Sequence, residues 1–160
     1  IDFHRRVTEG LDGLRERLSE YRDLGARFTK WRAIIAIGDG LPSRYCIEAN
    51  AHALARFAAL SQEAGLVPIV EPEVLMDGDH SIDRCFEATE ATLREVYYQL
   101  GHQRVVLEGA LLKPNMVLSG KDAQNRAGRV TTDARQLERA IESVRELTVM
   151  IGHYRLRGGV

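Results

Sequence analysis

The stretch Leu66-Val67-Pro68-Ile69-Val70-Glu71-Pro72-Glu73 is an apolar run that ends in a charged residue followed by proline. Further along the chain, Leu111-Leu112-Lys113-Pro114-Asn115-Met116 has the same order of residue types. Continuous apolar runs of this kind are typical of strands buried on both faces, and proline tends to end such strands. We therefore predict one strand in each stretch, with Glu71 and Lys113 at the carboxyl ends.

Helical and strand patterns alternate on both sides of these two stretches. The sequence predicts four helices: Leu11 to about Gly25, Pro42 to before Gly65, a helix capped by Asp79 or Ser81 and ending at Gly101, and a helix from about Thr132. Between and after them it predicts four strands, at 33–37, 66–70, 104–112 and 149–151. This alternation indicates a parallel α/β architecture. The length of 160 residues and the 44% apolar content fit a single domain over residues 1–160.

Lys113 is a candidate nucleophile because it is the only cation in its apolar stretch. A lysine in this position is either solvated or buried, and burial disfavours the ammonium form. A neutral amine can attack a carbonyl group and form a Schiff base. The alternative is structural, since a lysine at a strand end can extend its ammonium group into solvent.

Six segments occur along the chain in an order that matches a known family. They are Lys30-Trp31-Arg32, Pro42-Ser43, Leu54-Ala55-Arg56, Val67 to Glu73, Asp77-Gly78-Asp79-His80, and Leu107 to Val117. Together, over about residues 10–122, they resemble class I fructose-1,6-bisphosphate aldolase. The resemblance implies a (β/α)8 barrel of the TIM type. Since such a barrel takes about 250 residues, we expect only a partial, half barrel of alternating helices and parallel strands in this chain.

The resemblance also implies roles for five residues. Lys113 would be the Schiff-base lysine and Glu71 the principal acid/base. Lys30 would be a second active-site lysine, whose charge favours the neutral form of Lys113, and Glu73 would be a carboxylate that partners these lysines. Arg32 would bind substrate near its distal phosphate. No cofactor or metal is implied, because class I aldolases use the lysine in place of a metal.

Each of these assignments has a structural alternative. Glu71 and Glu73 could be ordinary ion-paired loop residues. Lys30 precedes its predicted strand, so it reaches the same chemistry only if it lies on that strand and points inward. The segment Asp77-Gly78-Asp79-His80 contains possible metal ligands, but turn and helix-cap chemistry explains it better.

The remaining composition excludes several classes of partner. A net charge of −1 with interleaved signs gives no electrostatic footprint for nucleic acid or for an anionic membrane. Cys46 and Cys85 lack the spacing of a metal site, which favours buried free thiols in a reducing compartment. Without a predicted membrane span or signal-like segment, we expect a cytoplasmic protein.

Three functions fit these observations. The first is a class I aldolase, or a fragment of one, that cleaves the sugar phosphate fructose 1,6-bisphosphate to dihydroxyacetone phosphate and glyceraldehyde 3-phosphate. The second is a non-catalytic half barrel or engineered scaffold that covers its open sheet edges by self-association. The third is a Schiff-base lyase that acts on another carbonyl substrate. A homo-oligomer is expected, because the family is typically homotetrameric.

Overall fold

The structure is a computed structural model that describes residues 7–124. Its elements are helix α1 at Leu14–Asp23, strand β1 at Phe28–Ile35, helix α2 at Arg44–Glu63, strand β2 at Val67–Val74, helix α3 at Ile82–His102, a short 3-10 helix at Leu107–Gly109, and strand β3 at Leu111–Leu112. The predicted helix near Thr132 and the predicted strand at 149–151 lie outside the described residues. The alternation of helices and strands expected from the sequence is confirmed.

The ends of helix α2 follow from local chemistry. The hydroxyl of Ser43 accepts a hydrogen bond from the amide of Cys46 at 3.2 Å and caps the amino terminus. At the other end, Gly65 adopts a φ of 75°, a left-handed conformation that costs glycine little. Its amide bonds to the carbonyl of Gln62, which closes the last turn. The positions predicted for Pro42 and Gly65 at the two ends are thus correct.

The three strands form one parallel sheet in the order β1-β2-β3. Strands β1 and β2 pair along their whole length, with Phe28 opposite Val67 and Ile35 opposite Val74. Both strands differ from the prediction. Strand β1 begins at Phe28 rather than at residue 33, and β2 continues through Glu71, Pro72 and Glu73 instead of ending before them.

The longer strands have a common physical reason. In β1, exposed and more buried residues alternate, which is the pattern of a strand with one face on a core. The prediction rested on the continuous apolar run at 33–37, so it omitted the first half of β1, where polar and apolar residues alternate and where Lys30 and Arg32 lie. In β2, the proline at 72 is tolerated, because the partner strand β3 consists of only two residues and ends before it.

The region before β3 is also different from the prediction. Residues 104–110 do not form a strand; they contain a turn and the 3-10 helix, and only Leu111–Leu112 pair with β2. Helix α3 runs through Gly101, the residue expected to end it, and Arg104 takes the left-handed conformation with a φ of 53°. The side-chain amide of Gln62 on α2 holds this segment, because it donates a hydrogen bond to the backbone carbonyl of Val106 and accepts one from the backbone amide of the same residue.

Helices α2 and α3 cover one face of the sheet. Buried Ala33, Leu54, Phe57, Val70 and Val96 belong to the main core between these helices and the sheet, and the Trp31 and Phe57 rings lie 5.5 Å apart. A second cluster contains both cysteines, which are buried free thiols as predicted. Among the elements of residues 7–124, none covers the other face of the sheet, which is open as expected for a partial barrel.

That open face carries both apolar and charged side chains. The apolar ones, Phe28, Val67 and Leu111, lie toward the amino ends of the strands and are 63%, 39% and 56% exposed. Among the charged ones, Lys30 is level with Leu111 in the register, since both are opposite Ile69, and Arg32, Glu71 and Glu73 lie further toward the carboxyl ends. Among residues 7–124, no helix is long and apolar enough to span a membrane.

Candidate active site

Three charged residues meet on the open face of the sheet. The ammonium of Lys113 lies 2.6 Å from Oε1 of Glu71, and the ammonium of Lys30 lies 2.7 Å from Oε2 of the same carboxylate. The Glu71 side chain is 3% exposed, whereas those of Lys30 and Lys113 are 46% and 59% exposed. Glu71 is thus a buried carboxylate that links two lysines from the two neighbouring strands.

The strand register brings these residues together. Successive side chains of a strand point to opposite faces, so Lys30 and Arg32 share the open face with Glu71. Arg32 is directly opposite Glu71 in the register, and Lys30 is opposite Ile69. The ion pair between Lys30 and Glu71 is therefore diagonal. On the other side, the amide of Lys113 bonds to the carbonyl of Val70 at 2.9 Å, which continues β3 pairing to the lysine itself.

A second ion pair lies beside the first. Arg32 bonds to the Oε2 atom of Glu73 through both its Nε and one terminal nitrogen. This hydrogen bond raises the pKa of Arg32 above its ordinary value. We had expected Glu73 to partner the active-site lysines, but its ion pair is formed with Arg32. The reason is again the register, because each carboxylate of β2 pairs with the cation that lies two residues before its directly opposite residue on β1.

The exposure of Lys113 corrects another expectation. The sequence suggested an amine buried in a dry pocket, but 59% of this side chain is exposed. Lys113 follows the last residue of a two-residue strand and projects from the open face. Residues 7–124 therefore do not enclose Lys113, and the close contact with Glu71 is what distinguishes it from a surface lysine.

The ionisation of Glu71 reflects two opposing effects. Burial raises the pKa of its carboxyl group, but hydrogen bonds from Lys113 and Lys30, together with their charges, lower it further than burial raises it. The net result is a pKa below the ordinary value for glutamate. At neutral pH, Glu71 is a carboxylate with two bound cations.

This shift predicts an acid-dependent loss of stability. Because the pKa of Glu71 is lower in the folded protein than in the unfolded chain, its contribution is present above the unfolded value of about 4.3 and is lost as pH falls through the folded value. We expect the unfolding free energy to fall more steeply below about pH 5 in the parent than in Glu71→Gln. Urea unfolding monitored by circular dichroism checks this, and parallel curves would contradict it.

A cleft of about 450 Å³ opens between the carboxyl end of β2 and the loop after β3. Its lining includes the charged and polar residues Glu71, Glu73, Asp77, Lys113, Asn115 and Lys121. Lys113 and the two glutamates therefore face a space large enough for a small-molecule substrate, in agreement with the size range of ligand pockets.

Sequence reasoning missed two features of this cleft. One is the ion pair between Lys121 and Asp77, which lowers the pKa of Asp77 through a hydrogen bond. The other is Asn115, which was part of the quoted motif but was given no role. The signal in the sequence was the position of Asn115 directly after Pro114. A polar side chain at this position can bond to backbone groups of β2 that the short strand β3 leaves unpaired.

The segment from Asp77 to His80 is a turn followed by a helix cap. The hydroxyl of Ser81, and not Asp79, accepts the hydrogen bond from the amide of Arg84 at the start of α3. Among residues 7–124, no group of three histidine, cysteine or carboxylate side chains converges as metal ligands would. Asp77 of this segment forms the ion pair with Lys121, and the carbonyls of Gly78 and His80 accept hydrogen bonds from the amides of Asp122 and Gly120.

Comparison with known proteins agrees with this geometry. The family model for fructose-bisphosphate aldolase class-I matches residues 3–147, a longer stretch than the resemblance we had drawn. A probable fructose-bisphosphate aldolase class 1 of Xanthomonas campestris pv. campestris is 60% identical over 144 residues, which are 90% of this chain and 40% of that protein. The fructose-bisphosphate aldolase of Dictyostelium discoideum is 53% identical over 122 residues, covering 75% of this chain and 34% of the relative.

A solved structure is similar as well. It is the fructose-bisphosphate aldolase from Plasmodium falciparum in complex with TRAP and a small-molecule inhibitor, with a TM-score of 0.78 and 43% sequence identity. The match covers 87% of this chain and 40% of that one. The chain thus spans well under half the length of these relatives. With a family match over most of its residues and the aldolase fold in its sheet and helices, this chain belongs to the class I fructose-bisphosphate aldolases.

Proposed function

We propose that this chain carries the Schiff-base centre of an aldolase that cleaves fructose 1,6-bisphosphate to dihydroxyacetone phosphate and glyceraldehyde 3-phosphate. The observation that carries the proposal is the single buried carboxylate of Glu71 in contact with both Lys113 and Lys30. An amine beside a proton acceptor is the arrangement that imine formation requires.

Lys113 acts as the nucleophile in this proposal. Glu71 accepts a proton from its ammonium, and the resulting amine attacks the ketone carbon of the substrate. Glu71 then returns this proton to the former carbonyl oxygen, takes a second proton from the attacking nitrogen, and delivers it to the same oxygen. The carbon–oxygen bond breaks, the oxygen leaves as water, and a cationic imine remains. Glu71, again a carboxylate, takes the proton of the hydroxyl on the carbon that becomes the aldehyde. The electrons of the breaking carbon–carbon bond move to the cationic imine, so the aldehyde product departs and a neutral enamine remains. Protonation of the enamine and hydrolysis release the second product and restore Lys113.

Lys30, Arg32 and Glu73 have supporting roles. The charge of Lys30 keeps Glu71 ionised between steps. Arg32 binds a phosphate of the substrate. Its side chain is 46% exposed, and the ion pair with Glu73 fixes the orientation of the guanidinium while leaving donors available.

A second candidate is favoured by the exposed apolar side chains of the open face. Phe28 lies opposite Val67, and Leu111 lies opposite Ile69 on the same face. Exposed apolar side chains on one face favour association. In this reading, the chain is a half barrel that self-associates and keeps its charged residues without turnover. Sedimentation of the purified chain tests it, since a monomer at all concentrations would contradict self-association.

Location and assembly complete the proposal. Relatives from Pisum sativum and Arabidopsis thaliana are named as cytoplasmic and cytosolic aldolases at 50% and 53% identity. We propose the same compartment for this protein, and a homo-oligomer as its assembled form.

The decisive experiment is reduction with borohydride in the presence of dihydroxyacetone phosphate, followed by mass mapping of the modified peptide. An adduct on Lys113 supports the aldolase proposal. An adduct that forms only with other carbonyl compounds retains the Schiff-base chemistry but overturns the substrate. No adduct on Lys113 with any carbonyl compound overturns the enzymatic proposal for this chain and leaves the self-associating half barrel.

A further inference from the structure

The side chain of Asn115 joins three parts of the structure next to the proposed nucleophile. Its carbonyl oxygen accepts a hydrogen bond from the amide of Val74 on β2 at 3.1 Å. Its amide nitrogen donates to the hydroxyl of Thr89 on α3 at 3.2 Å and to the carbonyl of Met116 at 3.1 Å. One side chain thus connects the loop after β3 with both a strand and a helix.

The short length of β3 makes this connection necessary. The backbone amide of Lys113 donates to the carbonyl of Val70, so the backbone groups of Val70 face β3. Alternate residues of a strand face the same neighbour, so the backbone groups of Val74 also point to this side. Pro72 lies between them and has no amide hydrogen to satisfy. The amide of Val74 does need an acceptor, because an unpaired backbone donor in the sheet is costly. Asn115 supplies this acceptor where backbone pairing has ended.

We propose that Asn115 is a positioning residue that holds Lys113 against Glu71. This inference deepens the proposed function and rests on it for its catalytic meaning. Only Pro114, whose ring restricts the backbone, separates Lys113 from Asn115. Glu71 and Val74 lie on the same strand, so anchoring the loop to Val74 fixes the lysine relative to its carboxylate.

Thr89 provides the second anchor of this arrangement. It is 1% exposed and lies on α3, a helix that packs against β2. Its hydroxyl orients the Asn115 amide so that the opposite oxygen points to Val74. If these bonds were merely structural, removing them would lower stability without changing the contact between Lys113 and Glu71. The two interpretations therefore predict different pKa values of Glu71 in variants that lack the bonds.

The helix offers a matched pair of substitutions for the test. Thr89→Val removes the hydroxyl that bonds Asn115. Thr92→Val removes a hydroxyl of similar burial that bonds only the carbonyl of Ala88 within the same helix, at 2.7 Å. Asn115→Ala removes the connection itself, and Thr89→Ser restores the hydroxyl.

The first measurement is the titration of the Glu71 carboxyl carbon by NMR, which needs no catalysis. Since the hydrogen bond from Lys113 lowers the pKa of Glu71, we expect this pKa to rise in Asn115→Ala and Thr89→Val. It should be unchanged in Thr92→Val and restored in Thr89→Ser. An unchanged pKa of Glu71 in both Asn115→Ala and Thr89→Val, with folding retained, overturns the inference.

The second measurement is the rate of adduct formation on Lys113 with dihydroxyacetone phosphate and borohydride. We expect a decrease of about tenfold in Asn115→Ala, because small displacements of a reacting group have effects of this order. A normal rate together with a normal Glu71 titration leaves Asn115 a purely structural residue. If the parent forms no adduct, the proposed function fails, and the NMR titration still decides whether Asn115 positions the lysine.

Discussion

Replacement of Lys113 with methionine is expected to abolish the borohydride-dependent adduct with dihydroxyacetone phosphate. Methionine has a similar length and no amine, so the shape of the site is kept while the nucleophile is lost. Mass mapping of the reduced protein is the measurement. We expect the far-ultraviolet circular dichroism to be unchanged, because Lys113 is more than half exposed and contributes little to the core.

The matched control for this prediction is Lys121→Met. Lys121 lines the same cleft but forms its ion pair with Asp77. Adduct formation on Lys113 should persist in this variant. An adduct that persists in Lys113→Met and moves to Lys121 would show that a flexible surface amine, and not the lysine beside Glu71, is the reactive group.

Replacement of Glu71 with glutamine is expected to have the second largest effect. The amide keeps the size of the buried side chain but removes the proton acceptor and the charge that balances Lys30 and Lys113. We expect adduct formation to slow by about 10²- to 10⁴-fold, the range typical of general acid–base catalysis. We also expect the unfolding free energy to fall by about 1–3 kcal/mol, because hydrogen bonds to a charged group are lost.

Quenched time courses of adduct formation and urea unfolding check these two effects. The control is Glu63→Gln, which breaks the exposed ion pair with Arg15 between α2 and α1. Exposed ion pairs contribute at most about 1 kcal/mol, and this one lies away from the site. Equal adduct rates for Glu71→Gln and the parent would remove Glu71 from the chemistry and leave it a structural counter-ion.

The helices were the part of the fold that the sequence predicted best. Their apolar spacing, the cap at Ser81 and the glycine at 65 are local signals, and each was correct because local chemistry decides a helix end. The end of α3 was the exception. Gly101 lies inside the helix, and the chain turns instead at Arg104, where packing of the following segment overrides the local preference.

The strands were predicted less well because their bounds depend on partners. Lys30 and Arg32 lie on β1 only because residues 28–32 pair with 67–71 of β2, a contact between distant parts of the chain. Residues 104–110 contain an apolar run like those of the strands but do not pair with β2. Only Leu111 and Leu112, which form β3, join the sheet. An apolar run indicates that a strand is possible, whereas the register decides where it begins and ends.

By itself, the sequence determined the parallel α/β order, the family, and the identity of the charged residues in and next to the strands. These properties follow from residue types and spacing along the chain. The tertiary structure decided which charges meet: Glu71 with both lysines, Glu73 with Arg32, and Asn115 with Val74 and Thr89. The physical reason is that these contacts cross strands and helices, so they depend on register and packing, which no local pattern encodes.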